Sequence, residues 1–343
     1  MQKLVACGAF MALSLAASQA FAGFESPSAG ANLGDPSDPF DAFDAVIRVG
    51  YGLDDNVELW ADELSFVVPD DRTRESTFLT GTLDATFRHQ ISPLFTIGAA
   101  LRVDGTMFLD DIPAALQPDY GNFDDFDLIV VNPSVFASAV VDGVDVRVSY
   151  GFRFEDGRDV HAMGLNGHQV GVELSRDVSP SWRVRGGVTH SWNDFHIVFP
   201  DAVNDRDGTL TSLNAGADYY IDGGYTVLSA TVKFAVNDSD GRNWRYSSYG
   251  ASLGARTVIM PGLFASGEVG YERRDYRGFD AGFIPPPGRE EQEIFTAKAK
   301  LVYAIDERFS ADIHVNYSTY DSNMPQFEGD QTIVGVGLTA KLF

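Results

Sequence analysis

The chain has 343 residues and carries 49 Asp and Glu against 25 Lys and Arg, which gives a formal net charge of −24 at pH 7. This acid excess argues against nucleic acid as a partner, because phosphate binding requires a basic surface. The one cysteine, Cys7, lies near the N-terminus, so we expect no disulfide and no thiolate metal site. No cofactor motif is apparent. Beyond the N-terminal region, no apolar run reaches the length of a transmembrane helix.

Residues 1–22 are organised like a cleavable secretory signal peptide. Lys3 supplies the positive charge, a short apolar segment follows, and Ala20-Phe21-Ala22 has the small-x-small pattern of a cleavage site. The mature chain is therefore predicted to begin at Gly23. Residues 23–42 are rich in Gly, Ser, Asp and Pro, which predicts a flexible periplasmic leader without a core.

From about residue 43 onward the sequence alternates between apolar and polar residues. In 309–318 the apolar residues occupy every second position, opposite Asp312, His314 and Asn316. Alternate side chains of a strand point to opposite faces, so one face suits lipid and the other suits water. A soluble β-sandwich also alternates, but here aromatic residues gather near the predicted strand ends, as they do at the interfaces of a membrane barrel.

We predict a transmembrane, antiparallel up-and-down β-barrel of about 14 strands over residues 43–343, in the outer membrane of a Gram-negative bacterium. Tight connections such as Asp142-Gly143 and Asp222-Gly223-Gly224 alternate with long ones, which places both termini in the periplasm. The predicted strands are 43–52, 76–91, 93–108, 126–141, 143–155, 167–178, 181–192, 208–221, 224–237, 245–259, 262–275, 291–305, 307–320 and 329–343.

The last residue, Phe343, has the aromatic character that the barrel-assembly machinery reads at the end of a final strand. It lies in the opposite phase to Leu338, Ala340 and Leu342. We therefore expect either a bulge near Lys341 or a different packing of the terminal ring.

The predicted inner face carries charges of both signs, with slightly more basic than acidic residues. A water-filled pore that screens solutes by charge would need such a lining, and so would an ion-paired network that fills a closed barrel. The residues predicted to line the pore are Arg48, Asp84, Arg88, Arg102, Asp104, Arg147, Arg153, Glu173, Arg183, Arg185, Lys233, Arg256, Glu268, Lys298, Lys300, Asp312 and His314.

The acid excess lies in the predicted loops, most densely in 53–75 and 109–125. We interpret these as solvated loops whose carboxylates bridge through divalent cations to anionic lipopolysaccharide. Their charge concentrates cations at the mouth, whereas the strands are nearly neutral or weakly basic. A weak cation preference that fades as salt rises is therefore expected.

A catalytic site is not expected. His190-Ser191 is the main candidate, but adjacent strand residues point to opposite faces, so the histidine cannot easily activate the serine. The paired acids Asp110-Asp111 and Asp124-Asp125 could mimic a protease site together with His161 or His168.

Two segments, Gly50-Tyr51-Gly52-Leu53-Asp54-Asp55-Asn56-Val57 and Tyr317-Ser-Thr-Tyr320-Asp321-Ser322-Asn323, resemble the barrels of the DUF560 family, the surface lipoprotein assembly modifiers. The closing Val-Gly-Val-Gly-Leu run before the final Phe is similar too. The resemblance implies export of lipoproteins or secreted binding proteins. Members of that family usually carry helical TPR repeats before the barrel, whereas the predicted leader leaves no room for them.

Two functions are consistent with these patterns. The first is a porin-like conduit for small solutes. The alternative, which the resemblance implies, is an export or assembly barrel that moves a lipoprotein or secreted partner protein across the outer membrane.

Overall fold

The computed structural model describes residues 41–55, 75–110, 127–157, 164–196, 205–278, 290–323 and 328–342. The predicted signal peptide and nearly all of the predicted leader lie outside these ranges. The first strand begins at Asp41, two residues before the predicted start of the barrel. The strands are β1 (Asp41–Asp54), β2 (Ser76–Ser92), β3 (Phe95–Phe108), β4 (Leu128–Val141), β5 (Val144–Gly157), β6 (Leu165–Ser179), β7 (Trp182–Phe195), β8 (Gly208–Ile221), β9 (Thr226–Ser239), β10 (Tyr246–Met260), β11 (Leu263–Tyr276), β12 (Glu291–Ala304), β13 (Phe309–Ser322) and β14 (Gly329–Lys341).

Every strand pairs antiparallel with its neighbours in the sequence, and β1 pairs with β14 to close the barrel. The closing register runs from Val46 opposite Lys341 to Asp54 opposite Ile333. Closure removes the free sheet edges that would leave backbone N–H and C=O groups without partners in hydrocarbon. The predicted all-β barrel is confirmed. In the described ranges, no helix is long and apolar enough to cross a membrane.

The connections differ sharply between the two ends of the barrel. Six of the junctions that join consecutive strands are short, and they lie at the end that also holds the start of β1 and the end of β14; we name this the turn end and the opposite end the loop end. Asp142 and Gly143 connect β4 to β5 with φ angles of 52° and 74°. Two consecutive positive φ angles define the tight hairpin turn whose twist matches the flanking strands. The predicted alternation of tight and long connections is confirmed.

The strand ends differ from the prediction by a few residues. β9 was expected at 224–237 and forms at Thr226–Ser239, because Asp222–Gly224 is a 3₁₀ turn. β7 continues to Phe195 at the loop end, three residues beyond the expected end. Ladder hydrogen bonds set these limits, and they extend past the positions where the alternation of apolar and polar residues fades.

The outer surface carries an apolar belt between two aromatic girdles. Large apolar side chains such as Val49, Leu253 and Ile313 are exposed midway along their strands, where a soluble protein would place polar groups. Exposed rings cluster towards both ends, as expected where a barrel meets the two membrane interfaces. Those towards the turn end are Phe43, Phe87, Phe95, Trp182, Tyr219, Tyr225, Tyr303 and Phe309, and those towards the loop end are Tyr51, Tyr150, Trp192, Phe234, Tyr249, Tyr271 and Phe295.

The end of the final strand settles only part of the expectation for Phe343. β14 pairs regularly with β13 from Tyr320 opposite Gly329 to Phe309 opposite Ala340, without a register shift. The expected bulge near Lys341 is therefore absent from this ladder. The ring of Phe343 lies outside the described residues.

Candidate functional site

The inner wall of the barrel contains the predicted pore-lining residues. Each of them occupies the phase opposite to the exposed apolar side chains of its own strand, except that Glu268 shares its phase with Phe264, which is exposed at the turn end of β11. Arg48, for example, follows exposed Ile47 and precedes exposed Val49, and Arg183 lies between exposed Trp182 and Val184. Their shared phase places all of these side chains on the same side of the sheet.

A largely buried ionic cluster joins β1, β12 and β13. Asp312, with a side chain only 3% exposed, accepts hydrogen bonds from Arg48 at 2.8 and 3.1 Å. His314 Nδ1 lies 3.0 Å from the same carboxylate, and Lys300 Nζ lies 3.8 Å from it. One carboxylate therefore holds two permanent cations and a histidine against the wall.

Glycines in β14 make room for this cluster. A Cβ atom at Gly337 would lie 2.6 Å from Asp312 Oδ2 and 2.7 Å from Arg48 Nη2, and one at Gly335 would lie 2.7 Å from the His314 ring. The closing Val-Gly-Val-Gly-Leu run thus places valines outward and glycines inward, beneath the ion cluster. The two glycines in this run are therefore explained by the space that the ion cluster needs.

Further ion pairs lie along the wall. Arg102 Nε is 2.7 Å from Asp104 Oδ2, and Arg183 Nη2 is 2.7 Å from Asp145 Oδ2. Arg88 pairs with Asp44, Arg153 with Glu155, and Arg185 with Asp218. An ion-paired lining is therefore a real component of the lumen.

Several charged side chains on the inner wall, Arg185 among them, remain exposed inside the closed barrel. Side chains with this much open surface in an interior position cannot be embedded in a packed core. They concentrate from mid-height to the turn end, so this part of the lumen contains open space. These exposed residues are Arg147, Glu173, Arg185, Lys233, Arg256 and Glu268.

The inner wall at the loop end is packed instead. Arg274, buried on β11, donates to Glu272 at 2.8 Å and lies 5.5 Å from the ring centroid of Tyr246. Arg206, buried in the segment before β8, lies 4.7 Å from the ring centroid of Trp244 and 5.1 Å from that of Phe195. We name these side chains, with buried Tyr276 and Glu290, the mouth layer.

The alternation of apolar and polar residues does not reveal the mouth layer, because Arg206, Trp244 and Glu290 fall in stretches predicted to be loops. The available signal was aromatic: Trp244, Tyr246 and Tyr276 flank or end strands in the inward phase. Burial raises the pKa of the Glu290 carboxyl to about 7, although nearby Arg274 opposes the shift. Burial also lowers the pKa of Arg206 to about 10, so its guanidinium stays charged at neutral pH.

Three acids expected in solvated loops have structural partners. Asp54 is buried at the end of β1 and accepts two hydrogen bonds from Gln331 Nε2, at 2.8 and 3.0 Å. Asp55 accepts the backbone N–H of Thr332 at 2.5 Å. Asp110 accepts the backbone N–H and hydroxyl of Thr77, and these bonds lower the pKa of its carboxyl. The solvated-loop interpretation is therefore wrong for Asp54, which is a buried strand residue.

Of the remaining acids in these two loops, Glu75 is exposed, and the others lie outside the described residues: Glu58, Asp62, Glu63, Asp70, Asp71, Asp111, Asp119, Asp124 and Asp125. Within the described parts of the chain, no group of three or more His, Cys, Asp or Glu could hold a metal ion.

The candidate catalytic residues have separate partners. His190 Nδ1 lies 2.8 Å from Thr211 Oγ1, whereas Ser191 Oγ donates to the Leu210 carbonyl at 3.4 Å. His168 Nδ1 lies 2.7 Å from the Tyr150 hydroxyl, in the outward phase. His161 lies outside the described residues.

Comparison with known proteins supports the same architecture. The family model described as Putative beta-barrel porin 2 matches residues 223–342. No curated protein matches the sequence. The chain is an outer-membrane β-barrel.

Among solved structures, the barrel is similar to the outer membrane channel DcaP of Acinetobacter baumannii, with a TM-score of 0.51 and 11% identity over 88% of this chain and 97% of that one. An anion-selective porin from Comamonas acidovorans matches with a TM-score of 0.49 and 12% identity over 88% and 99% of the two chains. OmpT of Vibrio cholerae matches with a TM-score of 0.48 and 10% identity over 88% and 98%. At these identities the DcaP likeness supports the fold alone.

We predict that Asp312→Asn destabilises the barrel by about 3 kcal/mol, because it leaves Arg48 and Lys300 without a counter-charge in a buried site. Urea unfolding in detergent micelles, followed by tryptophan fluorescence, measures this change. The matched control is Asp145→Asn, which also removes a luminal Asp–Arg pair but has a side chain 39% exposed. Its expected cost is at most about 1 kcal/mol. Equal losses for the two variants would contradict the burial argument.

Glu290→Gln should stabilise the barrel at pH 8 and leave it nearly unchanged at pH 5. Folding raises the pKa of the Glu290 carboxyl, so the folded barrel favours its protonated form. The contribution of this carboxyl to the free energy of unfolding is complete below its unfolded pKa and is lost as the pH rises through about 7. The shift sets an upper bound of about 3 kcal/mol at alkaline pH. Thermal unfolding of the variant and the wild type at both pH values measures this stability difference. The control is Glu291→Gln, which neutralises an exposed carboxylate at the same rim. A benefit of equal size at pH 5 would contradict the assignment.

Proposed function

We propose that the barrel is a porin-like conduit for small hydrophilic solutes. The observation that carries this proposal is the set of exposed charged side chains inside the closed barrel, from Arg147 on β5 to Glu268 on β11. Ionised groups in an interior are stable without partners only where water solvates them. Passive permeation of hydrophilic solutes requires a hydrated inner wall of this kind.

The mouth layer would limit the size of the solutes that can enter the lumen from the loop end. Its aromatic and ionic groups pack against the wall between the loop ends of β7 and β12, so a solute entering from that end passes beside Trp244 and Arg274. Below this layer the wall carries both signs of charge. Small solutes with polar or charged groups fit such a path better than apolar ones.

The DUF560 resemblance supports a second candidate, an export or assembly barrel for a lipoprotein or secreted partner. The described ends of its two segments both lie at the loop-end rim. Asp55 bonds to Thr332 of β14, and Asn323 Oδ1 accepts the backbone N–H of Glu291 at 2.9 Å. A shared rim is a suitable place for a partner to dock. We propose no catalytic role for either candidate, since His190 and Ser191 bond to different residues.

Recording from planar bilayers tests the conduit proposal. The purified, folded barrel should give steady, ohmic current steps in KCl. A silent barrel that co-purifies with a secreted or lipid-anchored protein would contradict the conduit and support the exporter. Heat-modifiable gel mobility confirms that the silent sample is folded.

Ion selectivity gives a sharper prediction for the same channel. Arg185 is exposed on the inner wall and lies 3.5 Å from Asp218, so Arg185→Ser should raise the K⁺ to Cl⁻ permeability ratio. The expected change is roughly twofold near 0.1 M salt, where the Debye length is about 10 Å, and it should fade in 1 M salt.

Reversal potentials across a KCl gradient measure this ratio. The control is Arg176→Ser, which removes the same charge from the outward phase of β6 near the turn end. The control should leave selectivity unchanged. If Arg185→Ser also leaves it unchanged while the channel still conducts, Arg185 does not face the ion path.

A further inference from the structure

Two opposite charges on the inner wall are direct cross-strand neighbours and yet do not pair. Arg147 on β5 is in register with Glu173 on β6, and both side chains are exposed. Within the ranges that the structure covers, no carboxylate lies within ion-pair distance of Arg147, and Glu173 accepts no hydrogen bond. Near the turn end of the same inner wall, by contrast, Arg183 of β7 pairs with Asp145 of β5 at 2.7 Å. The separation of Arg147 from Glu173 therefore needs a cause.

The cause is an aromatic platform on the other side of Arg147. The guanidinium carbon lies 4.0 Å from the ring centroid of Phe136 on β4. A cation over an aromatic face is attracted by the ring quadrupole, and stacking leaves the in-plane N–H groups of the guanidinium available to other acceptors. Arg147 is thus held away from its acidic neighbour with its donors unused.

Phe136 itself is held flat by a glycine. Only 8% of Phe136 is exposed, and a Cβ atom at Gly98 of β3 would lie 2.3 Å from its ring. Any larger residue at this position would push the ring off the wall. Gly98, Phe136 and Arg147 therefore form a stack whose outer layer is a fixed guanidinium.

A recess lies on the far side of Glu173. Its partner on β7 is Gly187, which carries no side chain, and the next residue along that row is Asn214 on β8. The Asn214 amide leans towards the glycine, since a Cβ atom there would lie 3.4 Å from Asn214 Nδ2. Glu173 thus has an amide on this side, and the inward cation of β7 nearest to it in register, Arg185, pairs with Asp218 instead.

We infer that Phe136, Arg147, Glu173 and Asn214 form a binding site for small zwitterionic solutes of the α-amino-acid class; this inference rests on the proposed conduit function. The solute's carboxylate accepts hydrogen bonds from Arg147, and its ammonium group donates to Glu173. Directly opposed strand residues are about 5 Å apart at Cβ, a spacing that a small zwitterion bridges with both of its charges. A simple anion or cation meets one attractive and one repulsive group and gains little.

Solute uptake into proteoliposomes at low ionic strength tests the inference. The probes are L-alanine, propionate and ethylammonium, of which the last two each lack one of the charged groups of L-alanine. Uptake of L-alanine should saturate, and uptake of the other two should rise linearly over the same range. Arg147→Gln and Glu173→Gln should each raise the half-saturation concentration for L-alanine about tenfold, as expected for loss of one charge-assisted hydrogen bond.

The chain offers matched controls for both variants. Arg256→Gln and Glu268→Gln remove the same charges from exposed positions of the inner wall on β10 and β11. These controls should change the half-saturation concentration by less than about twofold. Heat-modifiable gel mobility of each variant confirms that it folds.

The outcomes separate the inference from the function on which it rests. Linear uptake of L-alanine, or equal effects of the variants and their controls, overturns the proposed zwitterion-binding site and leaves the conduit intact. A folded wild-type barrel that transports none of the three probes and carries no current overturns the conduit, and the inference fails with it.

Discussion

The hydrogen-bonded closure between β1 and β14 is the constraint on which the rest of this structure depends. A peptide group in hydrocarbon finds no water, so every N–H and C=O of a spanning strand must be satisfied by a neighbouring strand. Fourteen antiparallel strands meet this demand only when the ring is complete. Closure also divides the side chains into an outward set that lipid solvates and an inward set that shares a confined volume.

The confined volume explains why glycine recurs in the inward phase. Charged side chains are long, and two of them on neighbouring strands need space above the sheet. Gly335 and Gly337 provide it beneath the Arg48–Asp312–His314 cluster, and Gly98 provides it beneath the Phe136 ring. Glycine weakens a strand by itself, but in a closed ring the neighbouring ladders hold the backbone in place. The cost is offset by an ion cluster that ties β1 to β12 and β13 across β14.

The lumen is divided into two physical environments, and the division bears on function. At the loop end, Arg274 and Arg206 are desolvated and held by aromatic rings and by the Glu272 carboxylate. From mid-height to the turn end, Arg147, Lys233 and Arg256 remain exposed. The first environment is densely packed, whereas the second leaves charged side chains exposed. A conduit needs both, since the packed layer restricts size and the wet wall lowers the barrier for ions and dipoles.

The sequence by itself determined the strands, their number, their phase and the alternation of turns with loops. Each of these properties is local: a period of two separates lipid-facing from inward side chains, and residues such as Asp142-Gly143 select a tight turn. Because the phase follows from this period, the predicted pore-lining residues could be chosen without coordinates.

Only the tertiary structure decided which inward charges neutralise one another and which remain free. Arg48 and Asp312 are 264 positions apart in the chain, and their contact exists because the ring closes. Arg147 and Glu173 are neighbours that a pairing rule would join, yet the stack on Phe136 separates them. Burial of Glu290 and Arg206 likewise depends on where loop segments fold against distant strands. Alternation gives the direction of a side chain, but its partners depend on the register and curvature of the complete barrel.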